Sequence, residues 1–431
     1  MLPTSEHADV AGALTACQDG APPGVDAATA DFIMRVAELL HAYGTPAYRL
    51  ERVLMGMSAN LHVEAAFLST PTAVIASIGS GEHKVVRLKR ADSGEVDLGK
   101  LVDFDETMDL VRDRKLTVVE GLARLEEIAA APSRYPTTVL AAAFSVASAG
   151  AAVFFGGGAA EVLATMLLSL MSFGLAVRMS SGLDSVGIVE PIAAFLTAGC
   201  AALLGHLWGV EARIVTLAGL IVFLPGLTLT LGFLELTMRH LVSGMARLAG
   251  AGAVFLTLLF GVALGWRAVA LAFGYNPEFT GQFLPPADLV PLGPWALWLA
   301  VLVAPFAFGI VLQARPGELP YIFLASVAGF VSARLGAEWL GPDLGPFLGA
   351  LAVGVVANLY ARVFDRPALV PLTPGIFMLV PGSLGFRSLT SFLETDSAAG
   401  LAWAFQTGLV AVSLVGGLLL ANIVLPPRRI L

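Results

Sequence analysis

From Thr137 onward, apolar runs as long as a membrane span follow one another, separated by short polar or Gly/Pro-containing breaks. The part before Thr137 instead alternates brief apolar stripes with polar faces. A spanning helix takes about 20 mostly apolar residues. Ten segments meet that pattern: 137–155, 159–177, 186–208, 213–234, 248–273, 294–312, 319–337, 344–363, 367–386 and 400–425. Two of them are interrupted in the same way. The fourth reads Leu220-Ile221-Val222-Phe223-Leu224-Pro225-Gly226-Leu227, and the ninth reads Ile376-Phe377-Met378-Leu379-Val380-Pro381-Gly382-Ser383. Proline removes a backbone donor and clashes with the preceding turn, so each helix must kink or break there. One such break is an ordinary proline kink. The same break at matching places in two halves points to a transporter's binding site.

The polar-patterned region predicts a small α/β (α+β) domain. Phe32, Ile33, Val36, Leu39, Leu40 and Tyr43 share a helical face that Gly44 ends. Pro46 opens a second helix carrying Leu50, Val53, Leu54 and Met57. Val63, Ala65 and Phe67 alternate, as do Val74, Ala76 and Ile78, then Val86 and Leu88, with Gly79-Ser80-Gly81 turning the last two into a hairpin. Helices follow near 98–112 and 117–130, the second opening on a Thr117-x-x-Glu120 capping box. The organisation expected is a disordered tail over 1–28, a cytosolic domain over 29–135 and five membrane segments in 136–275. An extracytoplasmic loop over 276–293 and five further segments in 294–431 complete it.

Composition sharpens that division. The chain is 57% hydrophobic and 13% charged, and its formal net charge is −8. Residues 1–135 hold 13 Lys+Arg against 20 Asp+Glu, while the remainder hold 12 against 13. The acidic balance argues against a nucleic-acid partner. Cys17 and Cys200 have no ligand-like spacing, the six histidines are scattered, and no phosphate-binding Gly-rich loop occurs. No cofactor and no metal are expected. The acidic N-terminus is not a signal peptide.

With the N-terminal domain inside, the inner loops carry eight Arg and the outer loops and ends four, which favours cytoplasmic N- and C-termini. Ten spans divide five and five, so the second half enters the membrane from the opposite side. The fold class expected is a polytopic α-helical membrane protein of two five-helix inverted repeats behind a small α/β cytosolic domain.

Charges inside membrane segments are functional hypotheses by default. Glu190 precedes Pro191 at the start of the third segment, Glu235 follows the first break, Arg247 lies beyond Ser243-Gly244, and Arg387 and Glu394 follow the second break. Solvation or snorkelling at a membrane end is the plain alternative for each. Glu235 could hold a cationic substrate group such as an ammonium. An anionic group such as a carboxylate could be held by Arg247 or by a half-helix start after Pro225-Gly226 or Pro381-Gly382, and Arg387 is a further substrate-binding candidate. Thr228, Thr230 and Ser383 could add hydroxyl or backbone partners. Glu235, Glu394 and Glu190 are the candidates for proton coupling, with Glu394 read as the counterpart of Glu235.

Several stretches together carry a resemblance. They are Gly44-Thr45-Pro46-Ala47-Tyr48-Arg49-Leu50-Glu51, Ser69-Thr70-Pro71-Thr72, Val96-Asp97-Leu98-Gly99-Lys100, Leu224-Pro225-Gly226, Glu235, Ser243-Gly244, Arg247 and Val380-Pro381-Gly382. In this order, soluble part first, they resemble the threonine/serine exporter family over most of residues 30–425. In that family the two halves can exist as separate proteins. The resemblance implies a multi-pass inner (cytoplasmic) membrane protein. Such a protein exports L-threonine and L-serine in exchange for protons, is not an enzyme, and is compatible with a homo-oligomer.

Two other readings compete. A membrane-embedded enzyme with a hydrolase-like cytosolic domain would need a nucleophile and a base. Ser69, His62 and His83 can be named, but their spacing gives no triad. Arg49 and Glu51 read more simply as a solvated or structural charge pair. A channel or scaffold would not concentrate substrate against a gradient.

Overall fold

The computed structural model describes residues 27–80, 84–90, 96–179, 187–274, 289–380, 382–393 and 397–427. The chain divides into two compact units, one ending at Pro132 and one running from Ser133 to Arg429.

The first unit contains α1 (Ala27–Ala42), α2 (Ala47–Asn60), β1 (Ala65–Thr70), β2 (Ala73–Ile78), β3 (Val85–Arg90), α3 (Leu98–Arg112) and α4 (Val118–Ala130). Helix α1 starts two residues inside the stretch expected as a tail; residues 1–26, and with them most of that expectation, lie outside the described residues. The stripe of Phe32, Ile33, Val36 and Leu40 is fully buried, as its periodicity requires, and α1 packs on α2, α4, β2 and β3. The strands form an antiparallel sheet in the order β1-β2-β3, with Phe67 opposite Ala76 and Ile75 opposite Leu88. Val74, Ala76 and Ile78 point into the core. Strand β1 begins at Ala65, so Val63 precedes the sheet. The capping box forms: Thr117 Oγ1 accepts from the Glu120 amide at 3.2 Å, and Glu120 Oε2 accepts from the Thr117 amide at 2.8 Å.

The second unit is helical: α5 (Thr137–Phe154), α6 (Ala159–Met179), α7 (Val189–Trp208), α8 (Ala212–Gly219), α9 (Gly226–Thr237) and α10 (Leu241–Ala272). Then come α11 (Pro294–Val311), α12 (Leu319–Leu340) after a 3₁₀ turn, α13 (Gly345–Phe364), α14 (Leu369–Phe377), α15 (Gly382–Leu393) and α16 (Ser397–Val424). Among the described residues nine helices are long and apolar enough to cross a membrane, not ten, with α14 and α15 taken together as one of them. The expected fourth span is two pieces of 8 and 12 residues. At 1.5 Å per residue neither reaches the roughly 30 Å of a hydrocarbon core. Helix α10 starts at Leu241, seven residues before the predicted fifth span, and so includes Arg247.

The two halves of this unit match in spacing. Helices α7, α9 and α10 begin at 189, 226 and 241, and α13, α15 and α16 begin at 345, 382 and 397, the same offset each time. The match extends to atoms. A Cβ added at Gly261 would stand 2.3 Å from Pro191 O and 2.8 Å from Ala194 Cβ. At the equivalent Gly417 it would stand 2.3 Å from Phe347 O and 2.9 Å from Ala350 Cβ. Both contacts need glycine because two helix backbones touch there, the close approach that small residues permit in lipid. Packing partners match as well. Helix α5 packs on α6 and α8, α6 on α7 and α8, α7 on α8 and α10, and α9 on α10. Likewise α11 packs on α12 and α14, α12 on α13 and α14, α13 on α14 and α16, and α15 on α16. The halves meet through α5 on α11, α9 on α15 and α16, and α10 on α15.

Candidate functional site: the crossing of two broken helices

Helix α8 stops at Gly219, and the chain turns through Leu220–Leu224, where Phe223 N donates to Leu220 O and Leu224 N to Ile221 O. Pro225, which has no amide proton to offer, becomes the N-cap of α9. Gly226 then lies against the second break. A Cβ there would be 2.2 Å from Val380 Cγ1 and 3.0 Å from both Gly382 Cα and Gly382 N. A Cβ on Gly382 would meet Gly226 Cα at 3.3 Å. The two Pro-Gly breaks therefore touch each other. Thr228 and Ser383 lie half-buried in the first turns of α9 and α15, and buried Thr230 donates its hydroxyl proton to Gly226 O at 3.0 Å. Pro381 and Glu394 lie outside the described residues.

Two turns further along α9, Glu235 is completely buried. The chain reverses at Met238–His240, with Arg239 in the left-handed region (φ 66°), and α10 returns alongside. Ser243 and Arg247, one helical turn apart, share the face that meets α9. Ser243 Oγ donates to Glu235 Oε2 at 2.6 Å, and Arg247 Nε donates to Oε1 at 3.1 Å and to Oε2 at 3.0 Å. A buried carboxylate is tolerable only when compensated in this way. The sequence-level assignment of an ammonium to Glu235 and a carboxylate to Arg247 thus meets a structure in which the two side chains hold each other.

Arg387 lies between one and two turns past Gly382 on α15 and is half-buried. Its guanidinium carbon is 5.2 Å from the centroid of the Phe155 ring and 5.9 Å from that of Trp403. Glu190 is half-buried in the first turn of α7, whose main packing partners are α6, α8 and α10. Counted by the common offset, the position equivalent to Glu235 is Ser391 rather than Glu394, because both breaks start at the same register.

In the second unit, two buried carboxylates among the described residues, Glu161 and Glu318, escaped the sequence reading. Glu161, in the first turn of α6, accepts from the Gly158 amide at 2.8 Å through Oε2 and from the Glu211 amide at 3.0 Å through Oε1. Glu211 is the N-cap of α8. Glu318, immediately before α12, is also fully buried; it accepts hydrogen bonds from the Tyr360 hydroxyl and from the Arg366 guanidinium. Arg366 lies three residues before α14. In each half, then, a carboxylate at the start of the second helix ties down the start of the broken segment. Both residues sit at the edges of apolar runs, where a solvated charge is the ordinary expectation. Only their partners, 50 and 48 residues distant, reveal the role.

In the first unit, the two charged residues singled out from the sequence, Arg49 and Glu51, both lie on α2. Arg49 is buried with its Nε donating to Tyr48 Oη at 3.1 Å, while Glu51 accepts from the Ser69 amide at 2.8 Å. Ser69 is buried and His62 exposed, and His83 lies outside the described residues. A cleft of about 580 Å³ between α1, β3 and α4 has its charges paired across it, among them Arg35 with Glu38 and Glu126.

Comparison with known proteins now places the chain. A family model for threonine/serine exporters matches residues 31–269, and a second, described as "Threonine/Serine exporter, ThrE", matches 297–424. The chain belongs to the threonine/serine exporter family. The family is one of membrane exporters rather than enzymes. The chain is also similar to the curated fungal proteins called pheromone-regulated membrane protein 10. It is 29% identical to that of Yarrowia lipolytica over 82% of this chain and 30% of the relative. The Saccharomyces cerevisiae relative is 28% identical over 84% and 48%, and the Candida albicans one 27% over 84% and 33%. The chain therefore spans from under a third to about half of the length of these relatives. No solved structure matches it. A multi-pass membrane protein of this family is the common ground of the fold and the comparisons.

Proposed function

We propose that the chain is a secondary active transporter that exports small hydroxylated amino acids, L-threonine and L-serine, across the cytoplasmic membrane in exchange for protons. The observation that carries this reading is the meeting of the two breaks at Gly226 and Gly382. It fits a site built from discontinuous helices at the interface of two repeats. The equal helix spacing and repeated packing partners support two halves related by a two-fold rotation. With the α8–α9 and α14–α15 pairs each counted as one crossing, each half has five. An odd number favours an axis in the membrane plane and an inverted repeat. The Arg bias favours cytoplasmic termini, with the unit ending at Pro132 a cytosolic domain of regulatory or structural role.

Glu235 is the coupling residue in this reading. An adjacent cation favours the ionised carboxylate, and burial without one favours the neutral acid. Parting of Arg247 from Glu235 as the cavity changes sides would draw a proton onto Glu235, and their reunion would release it. Pro225, Gly226, Thr228, Gly382 and Ser383 would line the substrate path at the crossing.

Counterflow tests the function. Liposomes preloaded with unlabelled threonine and carrying the purified protein should transiently accumulate labelled threonine, with serine competing. Failure to overshoot with either amino acid, in vesicles of verified insertion, would overturn the exporter reading.

A further inference from the structure

We infer that Arg387, walled by Phe155 and Trp403, is the site that holds the substrate's carboxylate. The identity of the ligand as an amino acid rests on the exporter reading above; its anionic character rests on the local chemistry.

Three guanidinium groups of the membrane unit can be compared. Arg247 is held by both oxygens of Glu235, and Arg366 by Glu318. Arg387 has no carboxylate partner among the described residues, only two aromatic faces at 5.2 and 5.9 Å. A cation kept half-buried in a membrane segment is expensive and faces a partner or a wet path. Ring faces attract it but do not neutralise it. What neutralises it and matches its planar fork is a carboxylate, taken bidentately.

The position suits this role. Arg387 follows Gly382 by five residues, which is about 7 Å along the helix. The crossing of the two breaks is thus within reach of a small ligand held by Arg387. The two rings come from different halves: Phe155 is the C-cap of α5, and Trp403 belongs to α16. Ser388 Oγ donates to Gly400 O at 2.7 Å and keeps α15 against α16, which holds Arg387 beside Trp403. Trp403 also occupies the place in α16 that Arg247 occupies in α10 by the common offset. One half therefore spends that position on compensating Glu235, and the other leaves its guanidinium available. This moves the carboxylate from Arg247 or a half-helix start, the places that the sequence alone offers, to Arg387.

The experiment combines transport with direct binding. In counterflow, the parent should prefer threonine to threoninamide, which lacks the negative charge. Arg387→Gln should raise the KM for threonine tenfold or more and bring the threonine/threoninamide preference close to one, and Arg387→Lys should retain an intermediate preference. A structural role alone would lower transport without changing that preference. Independently of transport, threonine or acetate added to the detergent-solubilised protein should change the tryptophan emission of the parent, and not that of Trp403→Phe or Arg387→Gln. Unchanged KM and preference in a monodisperse Arg387→Gln protein would overturn the assignment. So would an absent Trp403 response in the parent, whatever the transport result. Absent counterflow in a parent that still shows the Trp403 response would instead remove the exporter reading and leave the anion site.

Discussion

Gly226 and Gly382 meet backbone to backbone, each the first residue of a helix that follows a Pro-Gly break, and each at the same register of its half. Under the proposed two-fold relation, equivalent residues that touch each other lie beside the axis. The breaks thus fall where neither half alone can close the structure.

Substitution at this contact should be asymmetric. Gly226→Ala drives a Cβ to 3.0 Å from Gly382 backbone atoms and 2.2 Å from Val380, whereas Gly382→Ala meets its neighbours at 3.3–3.5 Å. Overpacking of this kind costs about 1–3 kcal/mol. Gly226→Ala should show the larger loss of thermal stability in detergent and abolish counterflow, while Gly382→Ala should impair it less. A Gly226→Ala protein with parental melting temperature and transport would contradict the contact.

Glu235→Gln keeps shape and removes charge. Threonine efflux from preloaded vesicles should then lose its response to an imposed pH gradient. Arg247→Met takes the cation away from a buried carboxylate and should destabilise by about 3–5 kcal/mol. Glu235→Gln/Arg247→Met together should recover much of that loss. If Glu235→Gln exports as fast as the parent, with the same response to the gradient, the coupling role is wrong.

The Glu318 cluster should also respond unequally to its two partners. Arg366 is 38% exposed and can turn to water once Glu318 becomes Gln, so that change should cost about 1 kcal/mol or less. Arg366→Met strands the fully buried Glu318 and should cost about 3 kcal/mol or more. Glu161→Gln puts an amide donor in place of one carboxylate oxygen that accepts a backbone N–H, and should cost about 1–3 kcal/mol. Thermal unfolding of the three variants provides the comparison; equal losses for Glu318→Gln and Arg366→Met would argue against the burial asymmetry.

In the proposed inverted repeat, the starts of α8 and α14 lie on opposite membrane faces. In a background without Cys17 and Cys200, cysteine at exposed Arg213 should react with an impermeant thiol reagent added outside. Cysteine at exposed Arg362 should react only after permeabilisation. Labelling of both from the same side would remove the inverted repeat.

Local chemistry made several features legible before any fold was known. Membrane class follows from run length and composition, because lipid demands about 20 apolar residues whatever the neighbours are. The breaks at Pro225 and Pro381 follow from a missing backbone donor, and the Thr117–Glu120 box from a spacing of three along one helix. The α1 stripe was readable because burial of a helical face obeys the helical period. Partners were not readable, because they are set by packing between segments far apart in the chain. The sequence contains Glu235 and Arg247, but only the reversal at Arg239 lays α10 on α9 and closes the pair. Glu161 and Glu318 look like charges at membrane ends until Glu211 and Arg366 are brought against them. The eight- and twelve-residue pieces of the fourth segment could be counted as a span from hydropathy, since hydropathy sums composition and is blind to a backbone that stops at Gly219. That Gly226 touches Gly382 was decided by tertiary structure alone: a glycine's sequence position records no neighbour, and this one exists only because two halves, each incomplete at its break, are packed together.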